Sequence, residues 1–266
     1  MRRAPTAAIA FAAALLGACT TIPPVSSPDT KETPTGYLPV SVLIEGAALV
    51  PPPPAAGTPA QAADDAAYRD SRRHKDTPRW EQAGRDAESR FPQAVDPFAC
   101  TLDVAIGEQS TPRLYRLMRR TLIDAGLAGY HAKSRFDRRR PFAAADDAIC
   151  TPEFATRLKA DRSYPSSNAA TGWAWALELS ELAPERADAL LRRGYEYGQS
   201  RLVCGAHWQT DVESGRLVGA AIVARLHALP EFQADVAAAR EEIAAARARG
   251  SKPSVDCAAE ARALGH

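Results

Sequence analysis

His207 and Asp211 lie four residues apart. On a helical turn such a pair shares one face. The carboxylate would then accept a hydrogen bond from one imidazole nitrogen, fix the tautomer and leave the other nitrogen free to act as a nucleophile. It would also stabilise the cation formed when that nitrogen reacts. Three cations are placed to hold an anionic substrate: Lys133, Arg140 after six intervening residues, and Arg201 just after Ser200. Arg offers a planar fork to two oxygens, whereas Lys is a point charge. Arg138 and Arg139 run into Arg140, but only Arg140 is followed by a proline. Pro141 disfavours helical backbone at the residue before it and would help aim Arg140 inward, so Arg138 and Arg139 read as solvated. A further stretch, Tyr164-Pro165-Ser166-Ser167-Asn168, precedes an apolar helical run containing Trp173. The free N–H groups and dipole of a helix start favour an anion. Ser166 or Ser167 either caps that helix or binds an anion there.

The elements that must position these groups read as helices throughout. Ala- and charge-rich sequence covers 60–73, and a second helix is expected over 80–91. Thr111-Pro112 is a cap followed by a first-turn proline. Leu114, Leu117, Met118, Thr121 and Leu122 then recur at helical spacing until Gly126. Thr151-Pro152-Glu153 opens a short helix in the same manner. The run 173–182 is apolar on most sides, as suits a central buried helix. Helices over 186–197, 212–226 and 231–249 complete the set. Sustained alternation of period two is absent, and the expected class is all-α.

The 266 residues suit one domain with terminal extensions, and 33 basic against 32 acidic residues leave a net charge of +1. No global field favours nucleic acid or an anionic membrane. Arg2-Arg3, an apolar run from Ala7 to Leu16 and the closing Leu16-Gly17-Ala18-Cys19 describe an export leader over 1–18. The sequence around Cys19 looks like a bacterial lipobox, which implies lipidation of Cys19. Thr20, not Asp, follows it, which points to the outer membrane and a periplasmic domain. Residues 19–36 read as a tether rich in Pro, Ser and Thr, 37–250 as the domain and 251–266 as a C-terminal tail. Cys100, Cys150, Cys204 and Cys257 remain, an even number in an exported chain, best read as two disulfides. Of three possible pairings, Cys100 with Cys150 and Cys204 with Cys257 is the one expected. Metal binding is the weaker alternative, since Cys-x-x-Cys and paired His are both missing.

Taken together, Lys133-x6-Arg140-Pro141, Tyr164-Pro165-Ser166-Ser167-Asn168 and Ser200-Arg201-x5-His207-x3-Asp211 resemble the three-part signature of the type 2 phosphatidic acid phosphatase superfamily. The nearest resemblance is to the bacterial class A non-specific acid phosphatases. It extends to Gly172-Trp173-Ala174 and Gly198-Gln199, and covers roughly 37–249. The resemblance implies a compact helical domain of the acid phosphatase and vanadium haloperoxidase type. It makes His207 the nucleophile and Asp211 its orienting acid. Lys133, Arg140, Ser166, Ser167 and Arg201 become the phosphate ligands. No cofactor is implied. The implied substrates are diverse organic phosphates at acidic pH, with inorganic phosphate as product, and a homodimer is allowed. No membrane span interrupts the domain, which argues against the lipid-phosphatase branch. The family's second segment ends Pro-Ser-Gly-His, and here Ser167 and Asn168 replace the last two residues. A carboxamide cannot surrender a proton as that His does for the leaving group. Phosphate esters with poor leaving groups should therefore suffer most, and a phosphate-binding lipoprotein with a degenerate site is the alternative. His131 lies close to Lys133 in sequence but is not expected to substitute; His74, His227 and His266 have no motif context.

Overall fold

Prolines set many of the helix starts. Thr58 accepts the Gln61 N–H through Oγ1 at 3.3 Å ahead of Pro59, and Pro78, Pro112, Pro141 and Pro230 each occupy a first turn in turn. A first-turn proline forfeits only an N–H that the helix leaves unpaired anyway. The computed structural model describes residue 1, residues 35–42 and residues 46–266. The expected leader beyond Met1, lipidated Cys19 and the tether up to residue 34 lie outside the described residues.

The helices are α1 (Gly46–Leu49), α2 (Pro59–Ser71), α3 (Pro78–Arg85), α4 (Asp96–Leu102), α5 (Pro112–Ala128), α6 (Tyr130–Phe136), α7 (Pro141–Ala145), α8 (Ala155–Ala160), α9 (Ser167–Leu182), α10 (Ala187–Val203), α11 (Gln209–Leu226), α12 (Pro230–Ala248) and α13 (Cys257–Leu264). No strand occurs among the described residues, in keeping with the all-α expectation. No described helix is long and apolar enough to cross a membrane.

The apolar run in the middle of the sequence becomes α9, which packs against α5, α10 and α11. Trp175 is fully buried on it and donates Nε1–H to the Met118 carbonyl at 2.8 Å. Phe98 and Tyr197 both meet the same ring edge-on and lie tilted against each other. Glycines let these helices approach. A Cβ at Gly215 of α11 would lie 2.4 Å from the Ser166 carbonyl, and one at Gly172 would sit 2.1 Å from the Tyr197 ring. The first of these contacts draws the second and third segments together. At the other end of the core, Tyr37 is buried on Phe232, donates its hydroxyl to Asp235 at 2.8 Å and its N–H to Asp124 at 2.7 Å.

A second apolar cluster of Trp80, Phe142, Leu158 and Val203 surrounds Cys204. There the structure corrects the expected disulfides: Cys150 pairs with Cys204 and Cys100 with Cys257. Backbone docking explains the first, because Cys150 N–H donates to the Cys204 carbonyl and Phe142 N–H to that of Gly205. The second follows from α13. Residues 257–264 of the expected tail form this helix, which returns to pack on α3.

Candidate active site

Each segment sits where a helix begins or ends. Lys133 lies in α6, and Arg140 precedes α7 with extended backbone (φ −71°, ψ 147°), the conformation Pro141 favours. Ser166 caps α9, accepting the Ala169 N–H at 3.3 Å, and its own N–H donates to the Asp211 carbonyl at 2.9 Å. Helix α10 continues past the expected residue 197 to Val203, so Ser200 and Arg201 occupy its last turn. Helix α11 begins at Gln209, three residues before the expected start. His207 and Asp211 therefore do not share a helical turn. His207 precedes the helix, while Asp211 lies in its first turn and accepts the Trp208 N–H through Oδ2 at 2.9 Å. The two side chains still meet, with Nδ1 3.4 Å from Asp211 Oδ2.

The segments converge on one buried imidazole. Arg140 Nη1 lies 2.8 Å from His207 Nε2. A guanidinium only donates, so Nε2 carries the lone pair and Nδ1 the proton, which faces Asp211. Burial first, and then Arg140, Lys133 and Arg201, hold the His207 pKa well below the ordinary imidazole value. The ring is thus neutral with its nucleophilic nitrogen toward the cations, and the 3.4 Å approach to Asp211 is a long polar contact, not an ion pair.

The cations differ in their company. Arg140 is paired with Asp161 at 2.8 Å and also donates to the Ala206 and Arg162 carbonyls. Lys133 is buried and donates to the carbonyls of Arg162 (2.9 Å) and Ser163 (3.5 Å). Arg201 is buried too, and its Nε and Nη1 have no hydrogen-bond partner among the described residues. Neither Lys133 nor Arg201 has a carboxylate within ion-pair distance among the described residues, although Arg140 does. Burial, helped by Arg140, pushes Lys133 down to about 8 and Arg201 down to about 10. Buried cations cost several kcal/mol unless an anion answers them. These two are therefore the groups of the cluster with a standing demand for one.

Three residues without a role in the sequence analysis complete the cluster. Arg138 is buried, donating to Asp211 Oδ1 and Asp64 Oδ2 at 2.7 Å each, and to Gln61 and Thr210. It is not solvated, as its place in an arginine run suggested. Residues 137–140 are non-helical, and in extended chain alternate side chains share a face. Arg138 and Arg140 are buried while Arg139 is exposed. Three identical residues leave no mark of that alternation in the sequence. Asp161, which partners Arg140, and Asp64 carry no mark either.

Asn168 is half-buried and donates Nδ2–H to the Ala87 carbonyl at a long 3.4 Å. With Ser167, Leu122, Thr171 and Tyr197 it lines a cavity of about 150 Å³. His227 and His266 approach Glu181 and Glu196, and His74 lies in the turn after α2.

Comparison with known proteins identifies the family. Residues 120–234 match the family model of the PAP2 superfamily, which contains all three segments. A non-specific acid phosphatase of Providencia stuartii is 41% identical over 84% of this chain and 90% of its own length. One from Salmonella typhimurium is 39% identical over 84% and 85%. An acid phosphatase of Zymomonas mobilis is 36% identical over 76% of each. The chain thus belongs to the PAP2 superfamily and, within it, to the bacterial non-specific acid phosphatases.

Proposed function

We propose that this chain hydrolyses phosphate monoesters through a phosphohistidine at His207. Lys133, Arg140 and Arg201 hold the phosphoryl oxygens, assisted by the N–H groups at the start of α9, where Ser166 and Ser167 stand. Binding transfers Arg140 from Nε2 to the substrate. Nε2 then attacks phosphorus in line, and the bond to the leaving oxygen breaks. Asp211 stabilises the resulting imidazolium through Nδ1–H. Water next attacks the phosphohistidine, releasing inorganic phosphate and restoring the neutral ring. The reading is carried by one observation: a buried imidazole turns its Nε2 lone pair to Arg140 and feels the charges of Lys133 and Arg201, two buried cations without a carboxylate partner among the described residues.

Asn168 narrows the substrates. It has no ionisable proton, and general acid catalysis contributes ~10²–10⁴-fold. Esters whose leaving groups depart without protonation, such as aryl phosphates, are therefore the favoured class. p-Nitrophenyl phosphate should turn over well and a simple alkyl phosphate poorly, and Asn168→His should raise the alkyl rate more than the aryl rate. An equal response of the two esters would contradict the proton-donor role. The same substitution favours a second reading, a phosphate-binding protein whose catalysis has decayed. Tight phosphate binding without turnover of either ester would support it. The two disulfides suit an oxidising compartment. With the lipobox-like segment they support a periplasmic protein anchored to the outer membrane through Cys19. Mass spectrometry of the membrane fraction would show a diacylated Cys19 peptide, and a soluble mature chain would exclude the anchor.

A further inference from the structure

Asp211 is completely buried, and both of its oxygens are already committed. Oδ2 takes the Trp208 N–H and faces His207; Oδ1 takes Arg138 at 2.7 Å. Arg138 spends its second terminal nitrogen on Asp64 of α2, also at 2.7 Å, and that carboxylate is buried as well. Thr210 brackets the two ends. Its hydroxyl accepts from Arg138 and donates to Asp64 Oδ2 at 2.6 Å, and its N–H donates to Asp64 Oδ1 at 3.0 Å. The guanidinium is sandwiched further by Trp208, whose ring centroid lies 5.2 Å from Cζ. Asp64, Arg138 and Asp211 all have hydrogen-bond partners, whereas His207 Nδ1 makes no hydrogen bond among the described residues. A planar fork bridging two carboxylates fixes distance and angle at once, which a lysine cannot do.

We propose that Arg138 and Asp64 are positioning residues for the catalytic pair, a buried relay Asp64–Arg138–Asp211–His207 that sets the carboxylate of Asp211 against Nδ1. It rests on the phosphohistidine reading, and it makes the first long helix of the domain part of the catalytic machinery. The charged groups facing Asp211 are Arg138 from the stretch before α7, Lys133 of α6, Arg140 before α7, and His207, with the Tyr164 hydroxyl beyond. Burial pushes the Asp211 carboxyl up, and Arg138 is the largest opposing influence. Removing Arg138 therefore lets Asp211 protonate at higher pH and turn away from the ring. Lys133, Arg140 and Arg201 are untouched, so substrate affinity stays.

The test uses the full chain with p-nitrophenyl phosphate. Arg138→Met should lower kcat by up to ~100-fold, the scale of a misplaced catalytic group, with KM little changed and the acid limb of kcat moved to higher pH. Asp64→Asn should do the same to a smaller extent. Arg138→Lys should restore the acid limb without restoring full kcat, because a point charge keeps Asp211 ionised but does not bridge both carboxylates. A lowered melting temperature with wild-type kcat and acid limb in both Asp64→Asn and Arg138→Lys would overturn the relay and leave a structural role. If Arg138→Met does not fold, those two variants decide alone. If the wild-type protein turns over no ester, the phosphohistidine reading fails, and the relay is read from the ¹⁵N resonances of His207. They should report Nδ1–H in the wild type and a tautomer mixture in Asp64→Asn; identical spectra would overturn it.

Discussion

Helix α10 carries two buried arginines eight residues apart, and they live in opposite surroundings. Arg193 lies between Asp86, which it grips through two nitrogens at 2.5 and 3.2 Å, and Glu260 of α13 at 3.1 Å. Its pKa is raised, because those carboxylates outweigh the burial that alone would lower it. Arg201 is as buried, has two nitrogens without partners among the described residues, and is pushed down to about 10 by burial and Arg140. Burial and residue type are the same; what differs is whether the fold itself supplies the anion. Where it does, the arginine holds α3, α10 and α13 together, and the Cys100–Cys257 disulfide secures the same helix. Where it does not, the anion must come from outside, and stability is given up locally for binding.

The difference can be broken from either side. The largest effect should follow Arg193→Met. It strands the buried Asp86 carboxylate and should cost about 3–5 kcal/mol, seen as a lower denaturant midpoint with kcat of the folded protein retained. Arg201→Met should do the reverse. Loss of one preorganised donor lowers kcat by ~10²–10³-fold, while the melting temperature holds or rises because an uncompensated buried charge is gone. Phosphate sharpens the contrast further. At a hundred times its Kd, a ligand stabilises the native state by about 2.7 kcal/mol. That gain should appear in the wild type and in Arg193→Met, and vanish in Arg201→Met. The smallest effect concerns Lys133, whose pKa lies at about 8. It is charged below that pH and neutral above it, so kcat/KM should fall as pH rises through about 8, at most ~tenfold per unit for a single proton. Lys133→Arg should flatten that limb.

The helices were legible where local sequence decides them, at the Ala- and charge-rich stretch from residue 60, at Thr111-Pro112 and in the Trp173 run. They were misjudged where tertiary contact decides. The expected end at residue 197 fell short: α10 runs on through Gly198, whose bare backbone face lies against Val212 and Arg216 of α11. The segment spacings pointed to His207, Asp211 and the cations. They could not show that Asp211 serves the start of α11, since capping geometry depends on where that helix begins. Arg138 was hidden by composition: three consecutive arginines look solvated unless the backbone is known to be extended there. The disulfides were misassigned because their pairing follows from two loops docking and from α13 folding back, and neither leaves a mark in cysteine spacing.

The most direct measurement is rapid quenching of a steady-state reaction with ³²P-labelled p-nitrophenyl phosphate, followed by peptide mapping. In-line attack by Nε2 requires acid-labile, base-stable label on the peptide containing His207, formed at a rate no slower than turnover. Turnover at the normal rate with no label on His207, or with label on another residue, would contradict the mechanism.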